Sequence, residues 1–263
     1  MKQLLKRAFF AAAPQTATAV FSARARAHSQ RMIREWGLLD LNRKLIDRFG
    51  STVQAGPFRG MTLSPATSRE HLGPYLLGCY EAELHPWIET VVGGQFAQVL
   101  DVGAKFGYYA VGLARLLPEV QVIAFDTDPW ARAATREMAA ANRTPRVATA
   151  GFCSPQWLDQ RLRPDSFILS DCEGYEAQLF GRACSPALDS ATLIIETHDI
   201  LVAGCGAAVR KRFTDTHRVS VVIGGQRRPS EINLEFLAPT EAAAAVREHR
   251  GPQEWLFLEP KVQ

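Results

Sequence analysis

An α/β fold, built on a largely parallel sheet with helices on both faces, is the architecture this sequence predicts, and three observations predict it. From residue 97 onward, near-continuous apolar runs of strand length alternate with helix-forming segments, the pattern of strands buried on both faces. The stretch "VLDVGAKFGYYAVGLA" at 99–114 passes from such a run, through an acid and two spaced glycines, into a helix-like segment, which marks a turn at the ligand-binding edge of an open sheet. The length, 263 residues with 47% hydrophobic content, suffices for one full globular core with an appendage.

The elements follow in order. Residues 1–50 read as a basic, amphipathic helical arm, solvated on one side. Residues 51–96 read as an extension packed on the core, opening with two short extended pieces around Gly56-Pro57. Within it, "YLLGCYEAELHPWIETVV" spaces Leu76, Leu77, Tyr80, Leu84, Trp87, Ile88 and Val91 at three and four, which predicts one continuous helix beside the sheet. On that helix Tyr80, Glu81 and Glu83 take packing and surface positions, with closure over a ligand as the alternative. Residues 97–263 form the main domain, with strands predicted at "AQVLDVG", "VQVIAFD", "RVATAG", "DSFILSD", "ATLIIET", "HRVSVVI" and "EWLFLEP". Helices are predicted at "PWARAATREMAAANR", after Leu201, and at "PTEAAAAVREHR".

Charge is unevenly spread. The arm holds ten Lys and Arg against three acids, so the net charge of +3 leaves the remainder acidic, and a global nucleic-acid interface loses its support. Peripheral contact with an acidic membrane surface is the membrane role open to such an arm. The leading "AFFAAA" before Pro14 is too short for a secretory core. The five cysteines show no metal spacing and no disulfide framework, so a reducing cytoplasmic location is expected.

Asp101, at the end of the first strand, would repel a pyrophosphate but suits a cationic ligand such as the ammonium of an amino-acid moiety. Gly103 lets the backbone turn tightly near a ligand, and Gly107 lets the next helix sit close to strand and ligand. The spacing Gly103-x-x-x-Gly107 is not the G-x-G-x-x-G of dinucleotide folds. Asp126 ends the second strand, where a carboxylate can accept both hydroxyls of a ribose. Asp128, preceding Pro129, is placed to cap the following helix.

With "DVGAKFGYYAVGLA", "VIAFDTDP" and "SDCEGYEAQLF" in hand, the chain resembles class I S-adenosylmethionine-dependent methyltransferases, and more narrowly the FkbM-like family, over roughly residues 75–200. That resemblance implies a Rossmann-like, doubly wound seven-stranded sheet in the order 3-2-1-4-5-7-6, with "EWLFLEP" as the inserted antiparallel strand. It makes 97–263 a methyltransferase domain and S-adenosylmethionine the cofactor. Asp101, Gly103, Ala104, Gly107 and Tyr108 would hold the methionine end, Asp126 and Thr127 the ribose, and Phe152 in the "AGFC" turn the adenine edge. Lys105 and Phe106 stand where such proteins often carry Asn or a small residue, and Asp126 stands for the more usual Glu.

The amine-methylation motif of nucleobase enzymes is absent after "DSFILSD", so the resemblance points to O-methylation of a hydroxyl on a small molecule or glycan. A protonated hydroxyl needs a base. His198, beyond "LIIET", is the leading base, with Asp171 at the same sheet edge. Glu173 and Glu176 line the acceptor side or cap the next helix, and His217 reads as structural. Asp171, Glu196 and His198 also form a donor set that would suit a divalent metal such as magnesium, a weaker reading than a metal-free site. The rivals are a non-catalytic binding or assembly protein with the same fold, and a nucleic-acid methyltransferase using the arm for phosphate contacts.

Overall fold

The computed structural model describes residues 27–67, 70–180, 185–225, 227 and 233–261. The arm's first 26 residues, and with them the membrane and phosphate roles expected there, lie outside the described residues, as does Cys184.

Seven strands form one sheet in the order β3-β2-β1-β4-β5-β7-β6. They are β1 (Val99–Val102), β2 (Val122–Phe125), β3 (Val147–Ala150), β4 (Phe167–Ser170), β5 (Thr192–Thr197), β6 (His217–Ile223) and β7 (Glu254–Pro260). The first five pair in parallel, with Val99 opposite both Val122 and Phe167. β7 enters between β5 and β6, antiparallel to both, with Leu193 opposite Leu258 and His217 opposite Pro260. This is the doubly wound, Rossmann-like order anticipated for the chain, with the last strand reversed.

Period-two alternation divides the central strands between two cores. Val99, Leu169, Ile194 and Trp255 face one side, whereas Leu100, Ile168, Leu193, Ile195 and Leu256 face the other. The same alternation puts Asp101 and Glu196 on the first face, where the N-terminal elements pack. β1 and β4 are buried throughout and β3, at an edge, is half-exposed, so the continuous apolar runs mark the sheet's centre.

Helices α4 (Tyr108–Leu116), α5 (Pro129–Ala141), α6 (Pro155–Arg161), α7 (Glu176–Phe180) and α8 (Cys205–Phe213) cross between strands. Asp128 caps α5, accepting the Trp130 N–H at 2.9 Å, with Pro129 in the first turn. Helix α9 (Pro239–Ala245) precedes β7.

Ahead of the sheet, residues 27–35 are helical and α1 (Leu38–Phe49) follows. Its Leu38, Leu41 and Leu45 are buried in the first core while Asp40 and Arg43 pair on the solvent side at 2.7 Å. The basic segment is therefore amphipathic, and this part of it is docked. An antiparallel bridge between Thr52 and Thr62 forms the extended pair around Gly56-Pro57.

The single helix expected over 75–92 is instead two: α2 (Leu72–Leu77) and α3 (His85–Val92), joined through a 3-10 turn at Ala82–Leu84. Gly78 ends α2 in the left-handed region at φ 74, so close to Ala55 that a Cβ would stand 2.0 Å from its carbonyl oxygen. Glu81 is also left-handed, at φ 48. The helical spacing of apolar residues survives the break because both halves bury the same side; the break turns Glu81 inward, where it is 1% exposed, rather than toward the surface.

Candidate active site

Two cavities open at the carboxyl ends of β1, β2 and β4, as the order reversal beside β1 dictates. The larger, about 550 Å³, is lined by Gly103, Lys105, Asp126, Thr127, Phe152 and Asp171, with Trp130 and Tyr175 closing its sides. The smaller, about 50 Å³, is lined by Glu81, Asp101, Ala104, Asp171 and the rings of Tyr75, Tyr80, Phe106 and Tyr108. Gly103, Lys105 and Asp171 belong to both.

Gly103 has φ 93, and a Cβ there would lie 1.7 Å from the Asp171 carbonyl oxygen. Its glycine is required by the β1–β4 approach, one step behind any ligand. Gly107, at φ 87, begins α4, and a Cβ would meet Thr135 of α5 at 2.8 Å. It lines neither cavity, and the close approach it permits is that of α4 to α5.

Asp126 accepts the Lys105 N–H at 2.9 Å and the Asp128 N–H at 2.8 Å, one on each carboxylate oxygen. These bonds aim the carboxylate and leave each oxygen a further lone pair toward the cleft. Burial raises its pKa, against the pull of those N–H groups. Phe152 is 57% exposed and rests on Tyr175 with ring centroids 5.1 Å apart, an aromatic wall of the kind that takes a flat ring.

Asp101 is 2% exposed and accepts the Ala110 N–H through Oδ2 at 2.9 Å. Burial pushes it up to about 8, with the charges of Asp171, Asp126 and Glu81 adding to the rise. Glu81 accepts from the Tyr109 hydroxyl and the Arg250 guanidinium, yet burial still pushes it up to about 7.

His198 follows β5 and is 5% exposed. Its Nδ1 lies 2.9 Å from Glu176 Oε1, and its Nε2 lies 3.4 Å from Asp171 Oδ1. Glu176 is fully buried and also accepts the Cys172 N–H at 2.9 Å, so it fixes the ring rather than only capping α7. Burial opposes the charged imidazole, but Glu176, Asp171 and Glu173 outweigh it and raise its pKa. His198 lines neither cavity; Asp171 stands between it and the cleft. His217 is structural, with Nε2 2.8 Å from the Ala191 carbonyl oxygen and Nδ1 2.8 Å from the Thr216 hydroxyl.

Asp171, Glu196 and His198 do converge, each offering a ligand atom within 4.8 Å of the others. Asp171 Oδ1 and Glu196 Oε1 are buried without a hydrogen-bond partner among the described residues, and the Arg250 guanidinium stands 3.6 Å from Glu196. Burial and the neighbouring Asp171 charge raise the Glu196 pKa. The donor set fits a hard divalent cation; a proton shared by the two carboxyls satisfies the same geometry.

Sequence reasoning left Glu176 between lining the acceptor side and capping a helix, gave Glu81 a packing or surface position with closure over a ligand as the alternative, and did not assign Arg250 to the site. The helical spacing around Glu81 concealed the break that buries it, and Arg250 lies 169 residues away along the chain.

No protein-family model matches the chain, and no curated protein matches it. Among solved structures it is similar to a precorrin-6y C5,15-methyltransferase from Geobacter metallireducens (15% identity, 66% of this chain and 86% of that one, TM-score 0.44). It is also similar to a putative O-methyltransferase from Klebsiella pneumoniae (12%, 89% and 96%, TM-score 0.44). A third is an rRNA methylase from Streptococcus thermophilus (12%, 67% and 95%, TM-score 0.45).

Proposed function

We propose that the chain is an S-adenosylmethionine-dependent methyltransferase acting on a hydroxyl of a small molecule or glycan. The observation that carries this reading is the pair of adjoining cavities at the strand ends. One is nucleoside-sized, with Asp126 and Phe152 on its wall, and the other is small, acidic and aromatic, around Asp101. Asp126 and Thr127 meet the ribose, Phe152 the adenine edge, and Asp101 with Ala104 and Tyr108 the methionine end. When bound, the cofactor supplies an electrophilic methyl group on a sulfonium sulfur.

The protein's own part is to hold the acceptor in line and take its proton. Asp171 lines both cavities and is the group that meets the acceptor hydroxyl. His198 stands behind it, held by Glu176 through Nδ1, with Nε2 turned to Asp171 to orient the carboxylate. Asp171 would accept the proton of the acceptor hydroxyl, and the bound cofactor would supply the methyl group that replaces it. Asp171 lines both cavities and His198 lines neither, so the base role moves one residue toward the cleft.

Calorimetric titration of the purified protein with S-adenosylmethionine, S-adenosylhomocysteine and NAD tests the reading. Micromolar binding of the first two, and none of NAD, is expected. A folded protein that binds neither sulfur ligand would replace this reading by that of a non-catalytic binding protein.

A further inference from the structure

Three carboxylates line the smaller cavity: Asp101 of the cofactor motif, Asp171 on the acceptor side, and Glu81. Glu81 comes from the turn between α2 and α3, outside the alternating strands and helices, yet it shares that cavity with Asp101. We propose that Glu81 is the second carboxylate of a seat for the cofactor's α-ammonium group, opposite Asp101. This inference rests on the cofactor reading above.

Three observations carry it. Asp101 is 2% exposed, its Oδ2 accepts the Ala110 N–H, and the residue lines the cavity. A carboxylate enclosed in this way calls for a donor. Second, the rings of Tyr75, Tyr80, Phe106 and Tyr108 line the same cavity, and aromatic faces attract a cation. At about 50 Å³ the space admits an ammonium-sized group, and its three carboxylates, Glu81, Asp101 and Asp171, set against Lys105 favour the ammonium over the cofactor's own carboxylate.

Third, the surroundings are short of positive charge. Arg250 pairs with Glu81, Glu196 and Glu248, and Arg227 pairs with Glu83 and Glu248. Two guanidiniums thus serve four carboxylates before Asp101 and Asp171 are counted against Lys105. A bound ammonium offsets part of that surplus, and burial leaves Glu81 and Asp101 holding their protons more tightly than free side chains until it arrives. Glu81 is held for this task by Tyr109 and Arg250, which keep its two oxygens in one place.

Calorimetry with S-adenosylhomocysteine and its deaminated analogue, which lacks only the α-ammonium, tests the seat. Wild-type protein should bind the deaminated compound about tenfold to hundredfold more weakly. Glu81→Gln should weaken S-adenosylhomocysteine by about tenfold and leave the deaminated compound unaffected, so that the discrimination shrinks. If Glu81→Gln does not fold, Glu81→Asp, which keeps the charge for Arg250 and withdraws the oxygens by a methylene, should shift discrimination the same way. Unchanged discrimination in a folded variant overturns the role of Glu81. Failure of wild-type protein to bind S-adenosylhomocysteine overturns the cofactor reading itself, and the two failures are separate observations.

Discussion

In the proposed function, Asp171 and His198 divide the work first given to His198 as the leading base. The imidazole is nearly enclosed, its Nδ1 committed to Glu176, and it reaches the cleft only through Asp171. Asp171→Asn should therefore lower turnover by about 10²–10⁴ while leaving S-adenosylhomocysteine affinity within a few-fold of wild type. His198→Ala should lower turnover by less and shift the pH–rate profile, because the imidazole acts through the carboxylate beside it. Steady-state kinetics with an identified acceptor, read beside the calorimetry, decides this assignment; wild-type turnover in Asp171→Asn would refute it. Gly103 and Gly107, which look alike in the motif, have separate tasks: one permits β1 and β4 to meet, the other permits α4 and α5 to meet.

The helices ahead of the sheet are part of the same packing unit as the site. Helix α1 lays Leu38, Leu41 and Leu45 into the core that also holds Tyr75, Tyr80 and Tyr108, and Lys44 reaches Glu241 of α9 at 2.6 Å. Leu45 is fully buried, so Leu45→Ala should cost about 2–5 kcal/mol of stability, measured by urea unfolding. A loss under about 0.5 kcal/mol would show that α1 contributes little to this core. The break at Gly78 is the other feature of this region that matters for chemistry: without it, Glu81 would continue a helix and would not reach Arg250. Local spacing could show that these residues bury an apolar side, and it could not show that the side is made of two helices.

Across the whole molecule, charge buried against the first face of the sheet ties the N-terminal extension, the strand ends and the segment before β7 into one network. Its acids make stability depend on pH. Asp101 and Glu81 titrate at about 8 and about 7 in the folded protein, above their values in an unfolded chain. The native state therefore binds more protons than the unfolded state across that interval, and stability falls as pH rises through it. His71, pushed down to about 3 by burial and nearby cations, contributes in the opposite sense, but only below about pH 6.5, where the unfolded histidine begins to charge. The ligand-free protein should consequently lose thermal stability between about pH 6.5 and 8, and Asp101→Asn should flatten the slope. A melting temperature that rises with pH over that range would contradict the buried-carboxyl account.

Among the described residues no helix is long and apolar enough to cross a membrane. The strand series, the capping of α5 by Asp128, and the placement of Asp101, Asp126 and Asp171 at strand ends were all legible in the sequence, because period-two alternation, proline and glycine act within a few residues. The grouping of Asp171 with Glu196 and His198 was legible too, since adjacent parallel strands bring their ends together. Tertiary structure alone decided that Glu81 faces inward, that Glu176 holds His198, and that Asp171 stands between His198 and the cleft. Those outcomes depend on burial and on partners brought together from distant parts of the chain, such as Arg250 for Glu81, and a local pattern carries no record of which distant charge will arrive beside a carboxylate.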